Sequence, residues 1–278
     1  MELCRLCLTA DMPIRNSHIF SEFLYGPSYD EKHRGLYLDP GPGGGGRDIL
    51  QKGPRERLLC SSCETHLSAF ERYGATILRR LPILEGYHAN TGIWISDVDY
   101  TKFKLFTMSL LWRASVSREV MFRKVQLGPD EEPLRRMIAL ANPGEPWEYG
   151  CALNQLQDID DFKRVVMFPG EMKLEGHKGF HFMAWGYHWR FVVSSHASSL
   201  PYDELFLTPE GKLPIRVSSI KASDLVQGML RGERVVEKPA ANPGMQGTAT
   251  AAPDAQARSA SVTSRIGGVI ADATAGQR

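Results

Sequence analysis

Apolar positions along the chain fall into three regimes. Across "ETHLSAFERYGATILRR" (64–80), Leu67, Phe70, Ile77 and Leu78 form a stripe that predicts an amphipathic helix. Residues 97–141 also read as helical. There "DYTKFKLFTMSLLWRASVSREVMFRKV" is apolar on most faces, as a central core helix must be, with a break expected at Ser115–Ser117. "GPDEEPLRRMIALAN" starts with Pro, Asp and Glu, carries Leu134, Met137, Ile138 and Leu140 at helical spacing, and stops at Asn-Pro-Gly. From about residue 148 the pattern changes to short aromatic and β-branched runs separated by Gly and Pro. "CALNQLQ", "RVVMFPG" and "GFHFMAWGYHWRFVVSS" predict antiparallel strands, with His181, Met183, Trp185, Tyr187, Trp189, Phe191 and Val193 of the last run on one strand face. "LPILEGYHANTG" reads as a connection and "KASDLVQGMLRG" as a closing helix.

These elements predict an α+β protein: a small N-terminal module over residues 1–90, then helices followed by an antiparallel sheet over 91–236. Residues 237–278 are rich in Ala, Gly, Ser, Thr and Pro and hold no large aromatic side chain. Such a stretch buries too little apolar surface to offset its ordering entropy, so a disordered tail is expected. The whole chain has 278 residues and a formal net charge of +1. That balance gives no bulk attraction to nucleic acid or to a membrane surface. Residues 1–90 are equally balanced, with 11 Lys/Arg and 11 Asp/Glu, so a nucleic-acid site there must come from local clustering. The N-terminus lacks a signal-peptide pattern, and the most apolar stretch, "FKLFTMSLLW", is interrupted by Lys104. A cytoplasmic protein without a membrane span is the expectation.

Four of the five cysteines form two CxxC pairs, Cys4/Cys7 and Cys60/Cys63. In a reducing compartment such pairs favour metal over disulfides, and two of them supply the four thiolates of a tetrahedral structural Zn2+ site. The second pair opens the helix at 64–80, where the positive end of the helix dipole favours thiolates. A single redox CxxC would need a thioredoxin-like context, which is missing. One knuckle near a hairpin and one at a helix start is the treble-clef arrangement. Cys151 stands alone among apolar residues and reads as buried. "DPGPGGGGRD" (39–48) reads as a flexible loop and not as a phosphate loop, because Arg47-Asp48 stands where Lys-Ser/Thr would be required.

"CRLC" (4–7), "SHIF" (17–20) and "LLCSSCE" (58–64) together resemble the HNH endonuclease module, and more narrowly a group of bacterial HNH-like proteins. The resemblance covers residues 1–75. It implies that the cysteines hold structural zinc beneath a ββα unit and that His18 is the general base for an attacking water. It also implies a second divalent cation, Mg2+ or Mn2+, that polarises the scissile phosphate. Ser17 stands where such modules carry Asp or His. Glu64 stands where they carry a metal-binding histidine and can serve as a carboxylate ligand, with His66 and Glu71 nearby. The position of an orienting asparagine falls near Arg55, so that role is absent or supplied from elsewhere. The implied activity is metal-dependent hydrolysis of DNA. The alternative is a non-catalytic zinc module that binds nucleic acid or a protein partner.

Further candidates are the basic residues Arg15, Arg34, Arg47, Lys52, Arg55, Arg57, Arg79 and Arg80, of which "KGPRER" (52–57) could meet phosphates. Trp112 reads as packing. Arg113 reads either as a buried ion-pair partner or as part of an active cleft. His177, His181, His188 and His196 have no ligand spacing and read as strand surface or satisfied core.

Overall fold

The structure is a computed structural model that describes residues 2–10, 12–39, 46–50, 52–82, 84, 91–156, 166–174, 176–193, 200–218 and 245–249. In chain order its strands are β1 (Ile14–His18), β2 (Gly35–Asp39), β3 (Gly46–Leu50), β4 (Arg55–Cys60), β5 (Gly92–Ile95), β6 (Cys151–Leu156), β7 (Val166–Leu174), β8 (His177–Ala184), β9 (Tyr187–Val192), β10 (Leu213–Ser218) and β11 (Met245–Ala249). Its α-helices are α1 (Ser61–Arg80), α2 (Tyr100–Val116), α3 (Glu131–Ala139) and the short α4 (Tyr202–Leu205). A 3₁₀ turn spans Glu22–Ser28. The class is α+β, as the sequence implies.

Strands β1 and β4 pair antiparallel, with Ile14 opposite Cys60 and His18 opposite Arg55, and α1 follows β4 without a break. The other nine strands form one sheet in the order β11-β5-β10-β6-β9-β8-β7-β2-β3. This sheet is mixed, which corrects the expectation of an antiparallel one. β10 runs parallel to β6, β2 to β7 and β11 to β5. Parallel neighbours come from distant parts of the chain, so local pattern does not reveal them. β2 and β3 extend the sheet beyond β7 from within residues 1–90, and one continuous apolar core runs from Cys4 to Val217.

Helix α2 is buried nearly throughout, and the Asp99 carboxylate caps it by accepting from the Lys102 amide at 2.9 Å. It ends at Val116, where the break was expected. α1 crosses α2 closely: a Cβ on Gly74 would overlap the Phe106 ring. The Phe106 ring of α2 meets Trp189 with centroids 6.1 Å apart, and Phe20, in the segment after β1, meets Phe182 at 4.3 Å, so α2 and this segment cover one sheet face. Strand alternation puts Asn154, His181, His188, Arg190 and Arg216 on the opposite face, all buried.

Three local expectations need correction. The run "GFHFMAWGYHWRFVV" is not one strand face but a hairpin, with Ala184 opposite Tyr187 across the two-residue turn Trp185-Gly186. Both turn residues have positive φ, 60° and 80°, as tight hairpins require, and tryptophan in the first place hid the signal. The residues 46–48 assigned to the glycine loop begin β3, and "GIWI", at the junction of the expected connection and the expected helical region, forms β5. Within the tail expected to lack order, Met245–Ala249 pairs in parallel with β5 at the sheet edge. Ladder hydrogen bonds form between backbones, so a strand without aromatic or β-branched aliphatic side chains can add to an edge that already exists. The closing helix expected in "KASDLVQGMLRG", and the rest of the tail, lie outside the described residues. Among those described, no helix is long and apolar enough to cross a membrane.

Candidate metal centre and the adjoining cleft

The first knuckle is a tight loop. The Leu8 amide donates to the Cys4 carbonyl at 2.9 Å, the Cys4 amide to the Thr9 carbonyl at 3.2 Å, and Leu8 takes a positive φ of 59° to close the turn. The Arg5 amide donates to the Leu58 carbonyl at 2.9 Å, and Arg135 of α3 donates to the Leu6 carbonyl, so the knuckle is tied to β4 and to α3. The second knuckle joins the end of β4 to the first turn of α1. The four sulfurs, Cys4, Cys7, Cys60 and Cys63, lie within 4.8 Å of one another, and three of the four residues are buried. Cys7 and Cys60 Sγ are 3.9 Å apart. Thiolates about 2.3 Å from a tetrahedral zinc stand roughly 3.8 Å from each other, so the cluster has the size a metal ion requires. Burial pushes the Cys63 thiol well above its usual range. At Cys60 burial acts the same way, but the Ser62 hydroxyl and the Cys63 amide outweigh it and bring the thiol down to about 6. Thiols this close cannot all ionise without a cation between them. The four cysteines can hold a metal ion.

Beside this cluster lies a cleft of about 590 Å³. One wall is a face of α1 that presents Glu64, Ser68, Glu71, Arg72, Thr76 and Arg79 at helical spacing. The other wall is the end of β1 and the 3₁₀ turn, with His18, Ser21, Glu22 and Phe23, and Arg113 of α2 lies beneath. His18 Nε2 stands 2.5 Å from Glu22 Oε2 and accepts from Arg55 Nε at 2.8 Å. One nitrogen cannot serve both partners at once: neutral Nε2 accepts from Arg55, whereas protonated Nε2 donates to Glu22. Burial, reinforced by the Arg55 charge and opposed by Glu22, lowers the His18 pKa below its usual value. The imidazole is therefore neutral near pH 7 and able to take a proton.

Arg113 is buried and bonds in several directions. Its guanidinium stands 2.7 Å from Glu71 Oε1 and donates to the His18 carbonyl at 3.0 Å and to Ser21 Oγ at 3.4 Å. Ser21 Oγ also donates to Glu71 at 2.9 Å. Burial opposes ionisation of Glu71, but Arg113 and Ser21 overcome it and hold the carboxyl below its usual value. Both readings of Arg113 hold: it is a buried ion-pair partner and it lines the cleft.

Of the residues singled out by sequence, His18 and Glu64 line the same cleft, and Ser17 donates a hydrogen bond to Glu64. Arg55 meets His18 across the β1–β4 pair. His66 points elsewhere and contacts the Ile138 carbonyl at 2.9 Å. Trp112 is fully buried, and the lone Cys151 is buried too, which raises the pKa of its thiol. His181 Nδ1 and His188 Nε2 are 2.8 Å apart inside the sheet. Arg34 is engaged by Asp30, Arg57 by Glu2 and Arg15 by Ser61. Sequence reasoning missed Glu22, Ser21 and Arg72. Glu22 stands four residues after His18, a spacing that could have been noticed. Among the described residues, the cysteine set is the one place where three or more His, Cys, Asp or Glu ligand atoms converge. The chain matches no family model, no curated protein and no solved structure.

Proposed function

We propose that the protein is an HNH-like, metal-dependent nuclease acting on DNA, with structural zinc on Cys4, Cys7, Cys60 and Cys63 in a treble-clef module. The observation that carries this reading is the neutral His18 imidazole, facing a cleft that also holds Glu22, Glu64 and Glu71 beside the cysteine cluster. His18 takes a proton from water, the resulting hydroxide attacks phosphorus, and the bond to the leaving sugar oxygen breaks. That oxygen is then protonated from solvent. Arg55 holds the imidazole in the tautomer with Nε2 unprotonated and leaves that nitrogen when water takes its place, after which the protonated Nε2 donates to Glu22. Glu64, at the start of α1, is the residue to hold Mg2+ or Mn2+, and such an ion, when bound, offsets charge developing on the phosphate. Magnesium sites commonly rest on one or two carboxylates, with substrate phosphate and water completing the shell, so a three-residue cluster is not required.

The second reading is a zinc-stabilised binding module without catalysis. It is favoured by the internal bonding of the cleft's acids: Ser17 occupies Glu64, and Arg113 with Ser21 occupies Glu71. The deciding experiment compares wild type with His18→Ala on plasmid and single-stranded DNA in Mg2+ or Mn2+, both proteins shown to be folded and zinc-loaded. Metal-dependent cutting that His18→Ala abolishes supports the nuclease. No cutting by wild type on either substrate assigns the protein to the second reading.

A further inference from the structure

The cleft walls differ in chemistry along and across their length. On α1, Glu71 is neutralised by Arg113. Arg72 and Arg79, seven residues and thus about 10 Å apart on the helix, are exposed beside it. Opposite stands Phe23, a half-buried aromatic that lines the cleft. Its ring meets the Trp185 indole edge to face, with centroids 5.8 Å apart. Trp185 is held there by the left-handed turn between β8 and β9, a conformation that costs a non-glycine residue energy and is retained where the surroundings enforce it. The arrangement therefore pairs guanidinium groups on one wall with a supported aromatic on the other.

The site is also recessed. The His18 side chain is only 23% exposed, and Glu22 and Arg55 flank its reactive nitrogen. A volume of about 590 Å³ is in the range that encloses one small-molecule-sized ligand, which corresponds to a nucleotide or two and not to a duplex. A volume of this size suits a phosphodiester of a separated strand better than one within a duplex.

We propose that the cleft binds a single strand, its phosphates on Arg72 and Arg79 and a base stacked on the Phe23 side, next to Trp185. This rests on the nuclease reading for the role of His18, but strand binding itself can be measured without cleavage. Single-strand sites combine a cationic track with aromatic platforms, and stacking tolerates any base because every base has a π-face.

The experiment is fluorescence anisotropy of a short labelled oligothymidine and of the same strand in a duplex, on zinc-loaded protein without added Mg2+ or Mn2+. The strand is expected to bind at least about tenfold more tightly than the duplex. Replacing both arginines (Arg72→Ala with Arg79→Ala) should weaken strand binding about tenfold and reduce the slope of log affinity against log salt by about 1.4, from roughly 0.7 per lost phosphate contact. Phe23→Leu keeps an apolar side chain in place and should weaken strand binding about tenfold with little change in the salt slope. The proposal is overturned by a duplex that binds as tightly as the strand, or by folded variants with unchanged strand affinity. Strand binding that responds to these variants, with no metal-dependent cutting, supports this inference and removes the nuclease reading. Cutting of duplex that is indifferent to the variants does the reverse.

Discussion

At the residue scale the molecule rests on a few buried polar contacts. Arg113 joins α2 to Glu71 of α1, to Ser21 and to the backbone of His18. Removing one member of such a pair leaves a charge in a poorly solvated place. Arg113→Met should cost about 3 kcal/mol in urea unfolding, while Arg113→Met combined with Glu71→Leu should cost less than the two single changes summed. Strict additivity would show that the pair does not couple. His188 gives a pH signature. Burial, aided by the Arg190 charge, brings its pKa down to about 3, against about 6.5 in an unfolded chain. Between those values the unfolded state binds a proton and the folded state does not. The stability this group contributes is therefore full above about pH 6.5 and lost as pH falls towards 3. The slope of unfolding free energy against pH between 6 and 4 should be shallower in His188→Asn, by up to about 1.4 kcal/mol per pH unit. Equal slopes would show that His188 is not held neutral. The sequence offers Arg113 as an ion-pair partner or cleft residue and His188 as strand surface or satisfied core; Glu71 and His181, which they meet, lie on other elements.

At the scale of elements, the helices follow from their own sequences and the strand pairings do not. The stripe of Leu67, Phe70, Ile77 and Leu78 places α1, and the apolar girth of α2 announces a core helix. The tail strand β11 and the parallel pairings depend on neighbours far along the chain. The crossing of α1 and α2 supplies a direct test. Gly74→Ala raises intrinsic helix propensity by about 1 kcal/mol, yet the new methyl would overlap the Phe106 ring. Overpacking costs about 1–3 kcal/mol, so the denaturation midpoint should fall. A midpoint that rises would mean that the helices can separate at no cost.

For the whole molecule, the cysteine cluster and the sheet share one core, so the metal ion should stabilise more than its own knuckles. We expect close to one zinc per chain by metal analysis. Stripping it with a chelator under reducing conditions should lower the thermal midpoint by at least about 5 °C, which corresponds to roughly 2 kcal/mol for a domain of this size. A protein purified without metal, or a midpoint indifferent to chelation, would rule out a structural zinc.

The two CxxC pairs, the helical stripes and the aromatic strand region were all readable along the chain, because a thiolate pair on one knuckle and apolar periodicity are properties of near neighbours. The cleft was readable in part: His18 and Glu64 stood out through the resemblance carried by the motifs around the CxxC pairs. Glu22 lies four residues from His18, but Arg55 and Arg113 join them only when β1 pairs with β4 and α1 packs on α2. The neutral state of His18, the ion pair beneath it and the recess that surrounds it arise from burial and from charges brought close in space. Tertiary structure decides these, since desolvation and Coulomb interaction depend on distance through the fold and not on separation along the chain.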